Sequence, residues 1–313
     1  MVNLEVNFCG VNFKNPTVLA SGVLGVSGES LHEVVENGAG GVTSKSIWLE
    51  GHKGHKNPVI IATDNYVVNA VGLSDAGIEK ARNEISEYKK QCDAPLIANI
   101  VASKIDDFAE ITKKISELNV DLIEVNISCP NVEVEFGRPF ACDIKSASEV
   151  TETVRKNTKT PFSVKLSPNV DNIGEIAKAC EESGADAITA INTVGPGMRI
   201  NIEMRRSILK NKVGGVSGHA VFPIAIRCIH DIYKNVKIPI IGTGGVSTGE
   251  EAIEMMIAGA SLIGVGSGVY YRGIKVFSHI TEEMNAWCDK NNVKNAQDLI
   301  GSLLDGFFYK DLL

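Results

Sequence analysis

The sequence lacks the features that several protein classes require. Its 313 residues contain no apolar run approaching the roughly 18–20 residues that a membrane-spanning helix needs. The first ten residues have no basic start followed by an apolar core, so they do not predict a signal peptide. Acidic residues outnumber basic ones by 38 to 31, and the charge of −7 argues weakly against nucleic acid, which favours a basic surface. We therefore expect a soluble, cytoplasmic protein that binds neither a membrane nor a nucleic acid.

Clustered metal ligands are also missing from the sequence. The seven cysteines are widely separated and form no CxxC pair, so no zinc or iron–sulfur site is predicted. An odd number of scattered cysteines without a secretion signal indicates reduced thiols. Of the six histidines, only His52 and His55 lie close together, within the segment 51–56. A solvated basic loop is the favoured interpretation of that segment, and we expect no metal.

Short apolar segments recur along the whole chain. Each is rich in Val, Ile and Leu, without the polar alternation of a half-exposed strand, as is typical of parallel strands buried on both faces. The segments are Thr17–Ala20, Gly41–Ser44, Pro95–Ile100, Leu122–Asn126, Phe162–Leu166, Ala187–Asn192, Pro239–Thr243 and Leu262–Gly266.

Helical patterns separate most of these predicted strands. Apolar residues keep an i, i+3, i+4 rhythm over 105–115, and a second helix is predicted between Asn172 and Gly184. Thr248 precedes two acidic residues and predicts the start of another helix. Eight strands alternating with helices predict an α/β fold, a (β/α)8 TIM barrel forming a single domain over residues 1–313. A doubly wound parallel sheet is the structural alternative.

The remaining segments extend this barrel at both ends. Residues 1–16 alternate in polarity around Cys9 and Gly10, which predicts an N-terminal hairpin closing the barrel bottom. The connections 45–94, 127–161 and 193–238 are too long for a plain crossover. Each follows a strand, so we expect these insertions at the C-terminal face, where barrels of this type carry their active sites.

Polar side chains stand at the ends of successive predicted strands, namely Lys45, Asn99, Asn126, Lys165 and Asn192. A lysine within an apolar strand has to be paired or functional, because burying an unpaired ammonium is costly. A structural ion pair would explain one lysine. Two lysines and three asparagines at neighbouring strand ends are hard to explain as core, so they predict a ligand site.

The stretch from Asn126 to Asn131 places Cys129 directly after the fourth predicted strand. A single cysteine is more often a small buried apolar residue than a reactive one. Beside two lysines, however, a thiol can lose its proton and act as a base near neutral pH. The neighbouring asparagine side chains can pair with an amide-like ligand.

Glycines follow the last two predicted strands, in the segments 242–245 and 264–268. They permit close backbone approach, their amides can hold an anion, and these two loops are the usual phosphate site of such barrels. The second segment does not match GxGxxG, so it does not predict a dinucleotide site. Together with the lysines, this arrangement fits a barrel that binds flavin mononucleotide (FMN), where a lysine stabilises the negative charge of the reduced ring.

Over nearly its full length the chain resembles the dihydroorotate dehydrogenases. A cysteine in the Asn-x-Ser-Cys-Pro-Asn string resembles the soluble class 1 enzymes, and segments 192–198 and 214–218 are similar to subtype 1B. The chain departs from the family pattern at 52–58, at His219 and at Trp48. The matching strings are Ala20-Ser21-Gly22, Thr43-Ser44-Lys45-Ser46, Asn69-Ala70-Val71-Gly72-Leu73, Asn126–Asn131, Lys165-Leu166-Ser167-Pro168, Asn192-Thr193, Gly242–Gly245 and Gly266-Ser267.

This resemblance implies a role for each matching residue. Cys129 would remove the C5 proton of dihydroorotate while C6 gives hydride to flavin N5, Lys165 would contact the flavin ring, and Lys45 and Asn126 would face both flavin and substrate. The implied orotate-binding residues are Asn69, Val71, Gly72, Leu73, Asn131, Asn192 and Thr193. The implied FMN-binding residues are Ser21, Ser46, Asn99, Ile191, Gly218, Gly244, Gly245, Gly266 and Ser267.

The resemblance also implies partners: a homodimer, and an electron-transfer subunit with FAD and an iron–sulfur cluster that passes electrons to NAD. Other functions stay open at this point. A dihydropyrimidine dehydrogenase, usually with Cys-Pro-His, is the nearest alternative, although Asn131 replaces that histidine here. A lyase using Lys165 as a Schiff base would need no flavin but leaves Cys129 unexplained. A non-catalytic binding barrel would leave all the reactive groups without a purpose.

Overall fold

The structure is a computed structural model that describes residues 2–128 and 139–303. Its strands are β1 (Val6–Phe8), β2 (Val11–Phe13), β3 (Thr17–Leu19), β4 (Gly41–Thr43), β5 (Ile60–Ala62), β6 (Val67–Asn69), β7 (Leu96–Ile100), β8 (Leu122–Asn126), β9 (Phe162–Lys165), β10 (Ala187–Ala190), β11 (Val194–Met198), β12 (Ile200–Asn201), β13 (Arg206–Ser207), β14 (Val213–Ser217), β15 (Ile240–Thr243) and β16 (Leu262–Val265). Its α-helices are α1 (Gly28–Glu36), α2 (Ile78–Gln91), α3 (Ile105–Ser116), α4 (Ile144–Asn157), α5 (Ile173–Glu182), α6 (Phe222–Tyr233), α7 (Gly249–Ile257), α8 (Ser267–Arg272) and α9 (Val276–Lys290). Short 3-10 turns cover Phe140–Cys142, His219–Val221 and Ala296–Leu299.

Eight parallel strands close into a barrel in the order β10-β15-β16-β3-β4-β7-β8-β9. Each arises from one of the eight apolar segments predicted as strands, so the (β/α)8 barrel is confirmed. β7, β8 and β9 are buried along their whole length, as expected for strands covered inside and outside. A doubly wound sheet has two free edges, and the closed order shows that this alternative is wrong.

The helices between the strands begin where the sequence signals predicted. The Asn172 side chain accepts a hydrogen bond from the Glu175 backbone N–H at 3.2 Å, capping α5. Thr248 and Glu251 cap α7 reciprocally in a capping box, satisfying backbone donors that a helix start leaves unpaired. The predicted helix over 105–115 is α3, which buries Phe108 and Ile111.

The N-terminal hairpin is confirmed as the plug of the barrel bottom. β1 and β2 pair antiparallel, with Val6 opposite Phe13. Phe8 and Phe13 are buried and pack with Leu122 and other residues of the N-terminal strand ends. This apolar contact leaves the opposite, C-terminal end of the barrel available for a site.

Two of the three insertions join at that C-terminal end. They form a four-stranded antiparallel sheet in the order β11-β14-β6-β5, in which β5 and β6 belong to 45–94 and β11 and β14 to 193–238. In the third insertion, residues 129–138 are outside the described chain, and α4 follows them. In the part of the chain that the structure describes, none of the helices combines the length and apolarity needed to cross a membrane.

Candidate active site

A cavity of about 350 Å³ opens at the C-terminal ends of the barrel strands, beneath the four-stranded sheet. Parallel strands bring their carboxyl ends to one face of a barrel, so residues distant in sequence meet there. The predicted site residues that line it are Ser21, Lys45, Ser46, Asn69, Val71, Gly72, Leu73, Asn126, Lys165, Ile191, Asn192, Thr193, Gly244, Gly245, Gly266 and Ser267.

The other predicted residues do not line this cavity or are outside the described chain. Asn99 is fully buried, and Gly218 lies close behind Gly245, since a Cβ on Gly245 would come within 2.6 Å of the Gly218 carbonyl oxygen. Their contact with a cofactor stays a prediction. Cys129 and Asn131 fall in 129–138, outside the described residues.

Lys165 is the cationic centre of the cavity wall, and sequence reasoning missed its partner. The residue is 6% exposed, and its Nζ donates to Oε1 of Glu124 at 3.1 Å. Asn99 Nδ2 donates to the same oxygen at 2.5 Å. A carboxylate within the apolar run 122–126 was the available signal, because Glu124 projects to the same side of its strand as Asn126.

Lys45 lies in a more open part of the cavity. It is half-buried, and its Nζ donates to the backbone carbonyl oxygen of Ser74. Burial lowers the pKa of Lys45, and the nearby negative charge of Asp75 partly opposes that effect. Among the described residues this ammonium forms no ion pair, so its charge is available to an anionic ligand.

Amide and hydroxyl side chains form a connected network between β8 and the end of β10. Asn126 Oδ1 accepts hydrogen bonds from the backbone N–H of Ser128 at 3.3 Å and from its hydroxyl at 3.0 Å. Asn192 Nδ2 in turn donates to Ser128 Oγ at 2.9 Å. Ser128, the residue before Cys129, was not predicted as a site residue. Its hydrogen bonds nevertheless hold both Asn126 and Asn192 in place.

The loop before α2 forms another side of the cavity through backbone contacts. Trp48 Nε1 donates to the Leu73 carbonyl oxygen at 3.0 Å, and His55 Nδ1 lies 3.0 Å from the Ala70 carbonyl oxygen. Gly72 adopts φ +71° with no room for a Cβ beside the His55 ring. Trp48 and His55, which lie where the chain departs from the family pattern, therefore hold this cavity wall in place.

The predicted basic loop around His52 and His55 is only partly solvated. The exposed His52 ring stacks on Trp48 with centroids 4.9 Å apart, whereas His55 is half-buried. Across residues 2–128 and 139–303, no three His, Cys, Asp or Glu side chains are grouped to hold a metal ion.

The glycines after β15 form a tight cradle. Gly244 and Gly245 adopt φ +145° and +85°. A Cβ on Gly244 would lie 2.6 Å from the Ala225 methyl, so a larger residue cannot fit without a shift. Gly266 and Ser267 adjoin this cradle at the cavity. Backbone N–H groups in such a concave turn can hold an anionic group.

Four other cysteines of the described chain are unsuited to act as bases. Burial raises the pKa of Cys180 to about 12, and burial with the negative charge of Asp186 raises that of Cys9 to about 12. Burial also raises the pKa values of Cys228 and Cys288. These thiols stay protonated at neutral pH, and none of the four lines the cavity.

The closed barrel, the lysines and amides of its cavity and the glycine cradle together define a (β/α)8-barrel enzyme. The family model for dihydroorotate dehydrogenase matches residues 3–287. The chain belongs to the dihydroorotate dehydrogenase family, whose members are flavoenzyme oxidoreductases.

Relatives with known descriptions agree with this assignment. The chain is 41% identical over 301 residues to the protein from Methanocaldococcus jannaschii described as dihydroorotate dehydrogenase B (NAD(+)), catalytic subunit, covering 95% of this chain and 97% of that protein. Proteins with the same description from Methanothermobacter thermautotrophicus and Caldicellulosiruptor bescii are 38% and 40% identical, covering 95% and 96% of this chain and 97% and 99% of theirs.

A crystal structure of DHODH in complex with ferulenol, from Eimeria tenella, superposes on this fold with a TM-score of 0.83. It is 24% identical, and the match covers 96% of this chain and 88% of that one. At this identity the likeness concerns the fold.

Proposed function

We propose that this chain oxidises (S)-dihydroorotate to orotate, a step of pyrimidine biosynthesis, with FMN as its cofactor. The observation that carries the proposal is that one cavity combines a buried lysine, a half-buried lysine, an amide network and a glycine cradle. Bound FMN would supply the hydride acceptor of the reaction. The residues of the cavity would bind the cofactor, bind the substrate and supply the base.

The residues present fit FMN on two independent grounds. The space around Gly244 and Gly245 is too small for side chains, so their backbone can approach a phosphate closely. Lys165 is buried and fixed, and a fixed ammonium at the flavin ring stabilises negative charge there better than a mobile one. Ser21, Ser46, Asn126, Ile191, Gly266 and Ser267, which share the cavity, and Asn99 and Gly218, just outside it, are the proposed additional contacts.

The polar residues on the rest of the wall fit orotate and dihydroorotate. Both ligands carry amide edges and a carboxylate, which pair with amide side chains and with a cation. Lys45 supplies such a cation, and Asn126 and Asn192 are held in place by Ser128. Asn69, Val71, Gly72, Leu73, Thr193 and, outside the described residues, Asn131 complete the proposed substrate site.

Cys129 is the proposed base. Its thiolate would take the proton from C5 while hydride leaves C6, so the substrate loses two hydrogens and gains a C5–C6 double bond. The support is positional: Ser128, the preceding residue, is fully buried and bonded to two asparagines at the cavity. The residue after Ser128 therefore begins next to the two asparagines of the proposed substrate site.

We further propose that residues 1–313 act as one FMN-binding barrel domain in the cytoplasm and that this domain works in a larger assembly. The relatives' description as a catalytic subunit supports a second subunit, which would carry FAD and an iron–sulfur cluster and pass electrons to NAD. Exposed side chains at Met198, Ile200, Ile202 and Met204, which are 51% to 79% accessible, support a homodimer contact.

The proposal is tested by mixing the FMN-loaded chain anaerobically with dihydroorotate and following the flavin absorbance. We expect rapid bleaching in the wild type and at least a ~100-fold slower reaction in Cys129→Ser, since a hydroxyl is a far weaker base than a thiolate. Cys92→Ser, a half-buried cysteine outside the cavity, is the matched control and should bleach like the wild type.

Three results would contradict the proposal. A flavoprotein that dihydroorotate does not bleach, but whose reduced flavin is reoxidised by uracil with recovery of its absorbance, would be a dihydropyrimidine dehydrogenase. A protein unable to bind FMN would not be a flavoenzyme, and Schiff-base trapping at Lys165 by borohydride with a carbonyl substrate would then identify a lyase. Equal rates for wild type and Cys129→Ser would remove the cysteine from the role of base.

A further inference from the structure

A buried carboxylate lies directly behind the lysine of the cavity wall, and the proposed reaction gives it no role. Glu124 is 2% exposed and does not line the cavity. Its Oε1 accepts hydrogen bonds from Lys165 Nζ at 3.1 Å and from Asn99 Nδ2 at 2.5 Å. A carboxylate is costly to bury, so a role in the site is expected rather than one in apolar packing.

The strand register explains how these three groups meet. Glu124 lies opposite Asn99 of β7, and Asn126 lies opposite Lys165 of β9. Because residues two apart on a strand face the same side, Glu124 projects into the barrel like Asn126 but one layer deeper. The Lys165 ammonium is therefore held between a carboxylate in the barrel interior and the open cavity.

Glu124 restricts the orientation of a side chain that is flexible by nature. Lysine carries its charge on a four-carbon stem with several rotatable bonds. The hydrogen bond to Glu124 fixes the ammonium, and Asn99 fixes the carboxylate from the neighbouring strand. Electrostatic stabilisation works best with charges fixed before the reaction, so Glu124 supplies the preorganisation for Lys165.

Glu124 also changes the charge balance of the cavity. The Lys165–Glu124 pair has no net charge when both groups are ionised. The carboxylate draws the ammonium toward itself, which weakens the attraction that the ammonium would exert on a ring taking up electrons in the cavity. Removal of the carboxylate charge would therefore favour the reduced ring.

We infer that Glu124 is a positioning residue for the flavin. It would hold the Lys165 ammonium in place for a bound flavin and limit how strongly that charge favours reduction. The inference rests on the proposed flavin function and adds a determinant of the flavin potential that lies outside the cavity wall.

The test is the midpoint potential of the FMN-loaded enzyme, measured by dye-coupled reduction without dihydroorotate. Glu124→Gln keeps the size of the side chain and an oxygen for Lys165 but removes the charge. We expect its reduction equilibrium to shift by about tenfold toward reduced flavin, which is roughly 30 mV for a two-electron couple. In a Lys165→Gln background the same change should produce a much smaller shift.

Glu152→Gln is the matched control. Glu152 also pairs with a lysine, Lys156, at 3.4 Å, but the pair lies on the exposed surface of α4. This control removes one negative charge from the chain without touching the barrel interior. We expect its flavin potential to equal that of the wild type.

Two results would overturn the inference. One is a Glu124→Gln potential equal to that of Glu152→Gln. The other is an equal shift with and without Lys165, which would mean that Glu124 does not act through the lysine.

If Glu124→Gln retains no FMN, its potential cannot be measured. FMN affinity is then measured instead, by titration of the apoprotein, and Glu124→Asp serves as the variant that restores the carboxylate. Recovery of binding in Glu124→Asp supports the inference. Loss of binding in both variants while Lys165→Gln binds FMN normally contradicts it. Loss in all three, in variants whose circular dichroism shows that they remain folded, shows that Glu124 and Lys165 act together and supports it.

These results are separable from failure of the proposed function. A wild-type chain that binds no FMN, or that binds it without oxidising dihydroorotate, contradicts the proposed function. A wild type that oxidises dihydroorotate while Glu124→Gln leaves the potential unchanged contradicts only the role of Glu124.

Discussion

Lys45 and Lys165 both line the cavity, yet their neighbours give them different properties. Lys165 is almost fully buried and bonded to a carboxylate, so its charge is compensated before any ligand arrives. Lys45 is half-buried, donates to the carbonyl oxygen of Ser74, and has its pKa lowered by burial. At the scale of single residues, these contacts suit Lys165 to a fixed ring and Lys45 to an exchanging anionic substrate.

The buried pair predicts a measurable cost when one partner is removed. Lys165→Met leaves the Glu124 carboxylate buried without its ion pair, and we expect a loss of about 3–5 kcal/mol in the free energy of unfolding. Lys156→Met breaks an exposed pair and should cost no more than about 1 kcal/mol. Urea unfolding of the apoprotein measures both variants. Equal losses in the free energy of unfolding would contradict the stabilising role of the buried pair.

At the scale of elements, the strand-to-helix turns after β15 and β16 shape the end of the cavity that we propose binds the phosphate. The capping box of α7, formed by Thr248 and Glu251, follows the glycine turn. Glu251 also accepts hydrogen bonds from the backbone N–H and the hydroxyl of Ser247, at 2.7 and 3.0 Å. The turn is thus anchored at its helical end, while its glycines approach the cavity without side chains.

The glycine cradle makes a specific prediction for Gly245→Ala. Gly245 has φ +85°, and an added methyl would lie 2.6 Å from the Gly218 carbonyl oxygen. We expect FMN binding at least ~10-fold weaker, because relief of this contact moves the amides that we propose hold the phosphate; tenfold corresponds to about 1.4 kcal/mol. Fluorescence titration of apoprotein with FMN measures the change.

Gly273→Ala provides the control for backbone strain alone. Gly273 also has a positive φ, +70°, but no atom lies within 4 Å of its added Cβ. Its FMN affinity should stay near that of the wild type. If both variants lose affinity equally, the contact with Gly218 is not the cause.

At the scale of the whole molecule, two insertions build a second sheet over the barrel mouth. β6 from one insertion pairs with β14 from the other, so this cover depends on segments more than a hundred residues apart. Beyond β11, the short hairpin β12–β13 carries Ile200 and, in its loop, Ile202 and Met204. These exposed apolar side chains lie close together in sequence, which is why the hairpin is the proposed homodimer contact.

In the proposed homodimer, Ile202→Asp should weaken self-association. The side chain is 79% exposed, so the free energy of unfolding should change by no more than about 0.5 kcal/mol. A charge buried in a dimer contact would shift the dissociation constant at least ~10-fold toward monomer. Sedimentation velocity over a dilution series gives the answer.

The control for this surface is Ile144→Asp. Ile144 begins α4 and is 45% exposed, and it lies away from the β12–β13 hairpin in the sequence. It should leave association unchanged. Equal effects of the two substitutions would show that net charge, rather than the hairpin, controls assembly.

The sequence by itself determined the barrel and most of the cavity. Strands buried on both faces have to be apolar, so eight short apolar runs marked the eight barrel strands, and parallel strands place Lys45, Asn126 and Lys165 at one face. Glycine-rich segments after the last two strands predicted the cradle, because those strands end at the same face of the barrel.

Tertiary structure decided which groups face the cavity and which lie behind it. Glu124 and Lys165 are separated by 41 positions, and their contact depends on the register of β8 against β9, which no local pattern reports. The same registers put Asn99 behind the wall and connect Asn192 to Ser128. Local sequence determines where strands form because burial selects apolar residues, whereas pairing across strands sets the depth of each polar side chain.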